Sequence, residues 1–197
     1  MAIEIRNFHP SDLYQLYKIC LETGASGEDA TETIDPELLG HIYAAPYALA
    51  DPSLCFVLVT DGWPMGYILG TADSLAFGHW LEENWWPGLR AKYPQQDLVD
   101  SRTKELIDEI RSDQVVNEAY YQEYPAHLHL DLLKPVQSEG YGSRLMDTFL
   151  RALADRQVPG VHLGVGKSNE RAVAWYPKFG FEIVAEDKFE IIYGLKL

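Results

Sequence analysis

The alternation of apolar and polar positions predicts two consecutive strand-to-helix steps in the second half of the chain. An apolar run over residues 126–133 is typical of a buried strand, and a loop with two glycines follows it over 137–142. Apolar residues then recur every three or four positions over 143–156, which predicts a helix with one buried stripe. A second strand over 161–165 and a second helix over 168–180 repeat the arrangement. A short glycine loop between a strand and a helix favours the binding of a phosphate group.

The rest of the chain shows strand and helix patterns at both ends. Pro46 is expected to end the second helix of the first half, because proline lacks the amide proton that a helix interior requires. Residues 61–64 have the composition of a hairpin turn. The predicted strands cover residues 3–6, 54–60, 65–71, 181–184 and 189–195, and the predicted helices begin at residue 9 and cover 37–43. Together with the two strands above, these elements predict a mixed sheet of seven strands.

A connection rich in aromatic residues, 72–123, separates the third predicted strand from the fourth. It holds three of the five tryptophans of the chain, and this aromatic content argues against disorder. Helical patterns occupy 80–86 and 103–110. Because long connections in compact domains are usually functional, we expect an ordered lid or a partner-binding surface beside the functional site. The alternative is an accessory packing layer that contacts no ligand.

The composition describes one acidic globular domain. The 197 residues carry a formal net charge of −14, and 47% of them are hydrophobic, which suits a single domain over 1–197. The charge argues against nucleic-acid binding, and no apolar run has the length of a membrane span. The amino terminus has the pattern of a strand rather than of a signal peptide. Cys20 and Cys55 show no metal or redox spacing, so we expect no metal site and a cytoplasmic, reducing compartment.

The glycine loop has the chemistry of a site for a phosphate-bearing ligand. Gly140 and Gly142 allow the backbone to approach a ligand closely, and the first amides of the following helix have no partners within that helix. The segment 134–178 carries seven Lys or Arg against four acidic residues, a net charge of +3 in an otherwise acidic chain. A basic segment around such a loop is consistent with an anionic ligand. The alternative is an ordinary turn followed by a helix with solvated basic side chains.

Two motifs in this order resemble the GCN5-related N-acetyltransferase (GNAT) superfamily. They are Gln137-x-x-Gly140-x-Gly142 and, beginning twenty-seven residues after Gly142, Asn169-x-x-Ala172-x-x-Trp175-Tyr176. The segments 124–133 and 160–165 look like the acetyltransferase-like domain at the carboxyl end of animal O-GlcNAc hydrolases and its free-standing bacterial relatives. In the animal domain the cofactor loop is degenerate, whereas both glycines and the glutamine are present here. The intact loop favours cofactor binding.

The resemblance implies an α+β fold, the GNAT fold. Its mixed, mostly antiparallel sheet of about seven strands carries helices on both faces, and here an aromatic-rich insert would lie between strands 3 and 4. The implied cofactor is acetyl-CoA, which serves as the acetyl donor. In the family the loop binds the pyrophosphate, while the fourth strand and the second helix contact the pantetheine and the thiol. The positions that match are Leu130, Asp131, Leu132, Gln137, Ser138, Glu139, Gly140, Tyr141, Gly142, Ser143, Asn169, Ala172 and Tyr176.

The same resemblance assigns two catalytic functions. Tyr176 would be the general acid that protonates the coenzyme A thiolate, and a backbone amide of the fourth strand near Leu132 would polarise the thioester carbonyl. Tyr176 follows Asn169 by seven residues, two helical turns, so both are expected on one face of the helix. The alternative for Tyr176 is an aromatic core residue beside Trp175.

The general base is less clearly indicated. His127, His129 and Asp131 alternate with leucines, so they share one face of a strand. Buried polar groups are costly without partners, so Asp131 or His129 is a candidate base; the alternative is a His–Asp hydrogen-bonded pair without catalytic function. Some relatives place a glutamate on the fifth strand where this chain has Gly164. Weaker candidates are His162, Asp73 and Glu82.

The sequence therefore predicts an acetyl-CoA-dependent N-acetyltransferase that moves the acetyl group directly to an amine of unknown identity. We expect the partner to be a small-molecule or peptide amine, with no nucleic-acid or membrane partner, and a monomer or homodimer. The alternative is an acyl-CoA-binding or catalytically inactive module that uses the insert to bind another protein.

Overall fold

A seven-stranded sheet forms the centre of the computed structural model, which describes residues 2–94, 100–112 and 115–197. The strand order is β1-β2-β3-β4-β5-β7-β6, and every neighbouring pair is antiparallel except β4 and β5. This arrangement confirms the predicted mixed, mostly antiparallel sheet. The strands are β1 Ile3–Asn7, β2 Cys55–Thr60, β3 Trp63–Thr71, β4 Ala126–Leu132, β5 Gly160–Gly166, β6 Glu182–Glu186 and β7 Glu190–Lys196.

Helices cover both faces of the sheet, as predicted. One hydrophobic core packs the first six helices against one face, and a second core packs the seventh helix and the segment after the eighth against the other. The helices are α1 Leu13–Thr23, α2 Leu38–Tyr43, α3 Ala45–Ala50, α4 Ser74–Trp80, α5 Trp86–Lys92, α6 Ser101–Arg111, α7 Tyr141–Asp155 and α8 Glu170–Trp175. Among the described residues, no helix combines the length and apolar content that a membrane crossing requires.

The start of α7 differs from the sequence prediction by two residues. Gly140 adopts the left-handed conformation (φ 80°) and forms the N-cap, so the helix begins at Tyr141. Gly142 therefore lies inside the first helical turn, and it does not use the positive φ that glycine permits. The predicted apolar stripe is confirmed, because Leu145, Met146, Phe149 and Leu153 are fully buried.

Proline explains two further differences. Pro46 does not end a helix: α2 ends at Tyr43, and Pro46 lies in the first turn of α3, where its missing amide proton has no partner to lose. The predicted helix over 168–180 is divided, because α8 ends at Trp175 and the 3-10 helix Tyr176–Phe179 follows with Pro177 in its first turn. Gly180 stops this segment with φ 87°, which confirms it as a left-handed helix stop.

Most of the aromatic-rich insert 72–123 packs as a layer over α1, α2 and α3. It contains α4, a π-helical turn over Leu81–Trp85, α5, α6 and the 3-10 helix Ala119–Gln122. Phe77, Trp86, Leu106 and Ile110 are buried in the core with α1 and α2. The predicted helical patches correspond to the π turn with its flanking residues and to part of α6. Residues 95–99 and 113–114 of the insert lie outside the described part of the chain.

Candidate active site

A cleft opens between β4 and β5 because these parallel strands pair only at their beginning. Ala126 pairs with Val161 and His127 with His162, and no later pair is formed between the two strands. The cleft is lined by residues 128–131 of β4 and 163–166 of β5, together with Ser26, Asn169, Ala172 and Tyr176. The divergence of two neighbouring strands leaves main-chain groups on both walls without a strand partner.

The register of β4 determines which of its main-chain groups face this opening. The Leu133 amide donates to the Met65 carbonyl in β3 at 2.9 Å, and in an antiparallel ladder alternate residues point to the same neighbour. The main-chain groups of Leu130 and Leu132 therefore point away from β3 and toward the cleft. The Leu132 carbonyl accepts a hydrogen bond of 2.7 Å from Gln137 Nε2, whereas within the described residues no strand pairs with the amides of Leu130 and Leu132 on this side of β4.

The loop before α7 presents a continuous row of amides. Within the described residues, the amides of 138–143 donate to no acceptor of the protein. They surround the left-handed Gly140 at the amino end of a fifteen-residue helix, where the helix dipole adds partial positive charge. Ser138, Glu139 and Gly140 are exposed. This arrangement is able to bind a diphosphate through main-chain groups.

Gln137 and Gly142 also determine how the loop packs against the neighbouring elements. Gln137 connects two elements, since its Nε2 bonds to β4 while its Oε1 accepts a hydrogen bond from Arg171 of α8. A Cβ added to Gly142 would lie 3.4 Å from Leu132 Cδ1 and 3.5 Å from Trp175 Cζ2. These are ordinary contact distances, so a methyl group would fit at position 142, whereas a branched side chain would press against Leu132 and Trp175.

Asn169 and Tyr176 both line the cleft, although they belong to different elements. Asn169 is the N-cap of α8, and its Oδ1 accepts a bond of 3.1 Å from the Ala172 amide. The Tyr176 ring packs against Trp175, Phe181 and Tyr193, while its hydroxyl has no hydrogen-bond partner among the described residues. Burial, followed by the nearby negative charge of Asp131, raises the pKa of Tyr176. The phenol is thus protonated at neutral pH and able to donate.

The polar row of β4 is confirmed as one face of the strand, but its hydrogen-bond partners are hydroxyl groups, including that of Ser74, whose Oγ lies 2.6 Å from His127 Nδ1. The Tyr47 hydroxyl lies 2.8 Å from His127 Nε2 and 3.1 Å from His129 Nε2. Asp131 Oδ2 accepts a bond of 2.7 Å from the Tyr67 hydroxyl. The His–Asp pair considered from the sequence is therefore not formed.

The protonation of this row follows from its burial. Burial lowers the pKa of His127 well below its usual value and, together with His162, lowers the pKa of His129 to about 4. Burial also raises the pKa of Asp131, although the Tyr67 hydroxyl acts in the opposite direction. Both histidines are thus neutral at pH 7. Of the three residues in this row, only Asp131 has its pKa shifted toward neutral pH.

The three weaker candidates for a base have structural partners. His162 Nδ1 bonds the Tyr124 carbonyl at 2.7 Å. Asp73 accepts a bond of 2.9 Å from an amide in the first turn of α4 and caps that helix. Glu82 forms an ion pair of 2.8 Å with Arg90. None of these three lines the cleft.

A second cleft adjoins the first, and the two share Ser26 and Gly166. The Tyr43 hydroxyl, on one wall, donates to Glu109 of α6 at 2.8 Å. Three charged residues that sequence reasoning did not single out lie here: Arg102 from the insert, Lys188 before β7 and Glu190 from β7. None of these three belongs to a motif, so only the tertiary packing identifies them. The other lining residues are Gly24, Ala25, Lys167, Ser168 and Phe189. In the described part of the chain, no group of three or more His, Cys, Asp or Glu is placed to hold a metal ion.

Comparison with known proteins agrees with this geometry. The model of the acetyltransferase (GNAT) family matches residues 11–181. Protein O-GlcNAcase of Rattus norvegicus is 27% identical over 189 residues, which cover 94% of this chain and 21% of that protein; the protein of Mus musculus gives the same values. The chain thus spans about a fifth of the length of these curated relatives.

Two solved structures illustrate the range of structural similarity. The crystal structure of SsHAT is 34% identical, has a TM-score of 0.92 and covers 100% of this chain and 98% of that one. The PaiA N-acetyltransferase of Thermoplasma acidophilum, solved in complex with coenzyme A, has a TM-score of 0.59 at 16% identity with full coverage of both chains. At that identity the second match shows the fold alone.

Proposed function

This chain belongs to the acetyltransferase (GNAT) family and is an N-acetyltransferase, and from that premise we propose that it transfers acetyl from acetyl-CoA directly to an amine in the cleft between β4 and β5. The observation that carries this proposal is the row of six amides, 138–143, at the amino end of α7, which have no protein acceptors among the described residues. The acceptor is a small-molecule or peptide amine.

In this proposal the main chain holds the donor. Acetyl-CoA supplies a thioester that is activated for attack by an amine. The amides of 138–143 bind its pyrophosphate, and the cleft-facing groups of Leu130 and Leu132 pair with the pantetheine. The free amide of Leu132 polarises the thioester carbonyl, because a fixed donor stabilises the negative charge that develops on that oxygen. Asn169 and Ala172 form the wall on the side of α8.

Two side chains move protons. Tyr176 protonates the leaving sulfur, because its hydroxyl is protonated at neutral pH, lines the cleft and has no competing acceptor among the described residues. Asp131 and His129 stay the candidates on β4 for accepting the proton of the amine. Asp131 is the stronger of the two, because a pKa of about 4 makes His129 a weak proton acceptor at neutral pH.

Two measurements test the proposal. Calorimetry with acetyl-CoA is expected to show one saturable site, and thiol release with a panel of amines is expected to depend on both the amine and the enzyme. Saturable binding without thiol release on any amine would favour the acyl-CoA-binding or inactive interaction module. Absence of binding would refute the use of the amide row.

A further inference from the structure

A carboxylate from β7 occupies the space above Gly164 of β5. In the β5–β7 ladder Gly166 pairs with Glu190 and Gly164 with Ile192. A Cβ added to Gly164 would lie 2.9 Å from the Glu190 carboxyl carbon and closer still to one carboxyl oxygen. The missing side chain at 164 is what leaves room for this carboxylate. Gly164 itself lines the first cleft and Glu190 the second, so the carboxylate lies where the two clefts meet.

The Glu190 carboxylate has no structural partner that would explain its position. Among the described residues it accepts no hydrogen bond and forms no ion pair, whereas the neighbouring Glu186 pairs with Lys167 at 2.8 Å. Asp187 accepts the Glu190 amide at 2.7 Å, which positions the residue through its main chain and leaves its carboxylate free. By contrast, Asp131 already accepts a bond from a tyrosine hydroxyl.

We propose that Glu190 is a catalytic carboxylate that binds the ammonium group of the acceptor and removes its proton. This inference rests on the proposed direct transfer. It predicts that the acceptor is a primary ammonium compound which enters through the second cleft, past Tyr43 and Ser26, and meets the thioester over Gly164. The sequence offers no glutamate on β5, and the tertiary fold supplies one from β7 in its place.

The proton transfers balance in this scheme. The ammonium nitrogen gives one proton to Glu190, and its lone pair then forms the C–N bond to the thioester carbon. The C–S bond breaks, its electron pair goes to sulfur, and the sulfur takes the hydroxyl proton of Tyr176. The nitrogen loses a second proton as it becomes an amide, and that proton returns to the Tyr176 phenolate. Glu190 releases its proton to solvent.

The surroundings of Glu190 raise its proton affinity above that of an ordinary carboxylate. Burial and then the charge of Asp187 raise the pKa of Glu190. The other ionisable groups in this region are Glu109 and Arg102 of α6 and Tyr120 of the insert, with Tyr43, Lys167 and Lys188 along the cleft. A proton acceptor with a raised pKa predicts an acidic limb in the pH profile of kcat above the usual carboxyl range.

Two variants remove the carboxylate in different ways, and two others serve as references. Glu190→Gln removes its basicity. Gly164→Ala retains the glutamate, but the new methyl group displaces its flexible carboxylate from the cleft. Glu182→Gln is the matched control, because Glu182 is an exposed glutamate on the adjacent strand β6 that lines neither cleft. Asp131→Asn tests the competing base.

The experiment measures kcat, KM for a primary amine and its pH dependence, with the Kd of acetyl-CoA as the check on folding and donor binding. We expect Glu190→Gln and Gly164→Ala to lower kcat by roughly 100-fold or more and to lose the acidic limb. Glu190→Gln should keep the Kd, whereas Gly164 lines the first cleft and its variant is judged on kcat and the acidic limb alone. Glu182→Gln should match the wild type. A wild-type kcat and acidic limb in Glu190→Gln would overturn the assignment while direct transfer stands. If no amine is acetylated although acetyl-CoA binds, the proposed function fails, and this inference fails with it.

Discussion

Replacing Gly140 with alanine tests whether the amide row binds the diphosphate. Gly140 has φ 80°, and a Cβ added there would meet no atom within 4 Å. The substitution therefore introduces backbone strain without a steric clash. Gly62, in the hairpin between β2 and β3, has φ 87° and equally open space, and it lines neither cleft. Gly62→Ala is thus a matched control that carries the same strain at a distance from the site.

The size of the effect follows from the backbone conformation. A residue with a side chain in the left-handed region costs about 1–2 kcal/mol, and in a domain of this length each kcal/mol lowers the unfolding temperature by about 2–4 °C. Both variants should therefore unfold about 2–8 °C below the wild type. If the strained loop relaxes so that one charge-assisted N–H···O contact with the diphosphate is lost, binding weakens by about 1.5–3 kcal/mol. This loss raises the Kd of coenzyme A roughly 10- to 150-fold.

Thermal unfolding and calorimetry with coenzyme A measure the two effects separately. Gly140→Ala is expected to lose both stability and affinity, whereas Gly62→Ala is expected to lose stability alone. Equal Kd values for the two variants, with equal losses of stability, would show that the loop conformation does not hold the diphosphate. If Gly62→Ala also binds coenzyme A more weakly than the wild type, the affinity responds to general destabilisation.

The remaining predictions concern three other positions. Gly142→Val should abolish coenzyme A binding while the protein stays folded, because its branches fill the space beside Leu132; unchanged affinity in calorimetry would mean the loop is misassigned. Tyr176→Phe should lower kcat about 100-fold without changing the donor Kd, and a wild-type rate across pH would exclude it as the acid. Asp12→Asn should lose about 1.5–3 kcal/mol in urea unfolding at pH 7, because it removes the carboxylate charge from the part-buried ion pair of 2.6 Å with Arg6. Burial raises the pKa of Asp12, but its hydrogen bonds outweigh burial and lower it overall. The stability that Asp12 contributes is therefore complete above its pKa in the unfolded chain and is lost as the pH falls through its pKa in the folded protein. A difference in unfolding free energy from the wild type that stays constant down to about pH 2 would contradict this.

Sequence reasoning located the elements whose signals are local. The spacing of apolar residues in α7 and the left-handed glycine at 180 depend on neighbours within a few positions, and both were predicted. The errors were also local in origin. Pro46 is equally compatible with the end of one helix and the first turn of the next, and only the close succession of α2 and α3 distinguishes these possibilities.

Contacts between distant parts of the chain explain the partners that sequence reasoning missed. The Tyr47 hydroxyl reaches His127 and His129 across eighty or more positions, and Tyr67 reaches Asp131 across sixty-four. No spacing along a strand indicates which hydroxyl will cover it, because that depends on how α3 packs on the sheet. The polar face of β4 was therefore predictable, while its tyrosine partners were not.

By itself, the sequence determined a strand, a glycine loop and a helix in an order suited to a phosphate-bearing donor, because backbone conformation and apolar periodicity are properties of short segments. The tertiary structure decided where the cleft between β4 and β5 opens and which carboxylate lies beside Gly164. Strands β4 and β5 separate after two pairs, and the register of β7 places Glu190 over Gly164. Sheet register is set by the packing of the whole chain. A residue outside any sequence motif, such as Glu190, can therefore place its carboxylate where position 164 has no side chain.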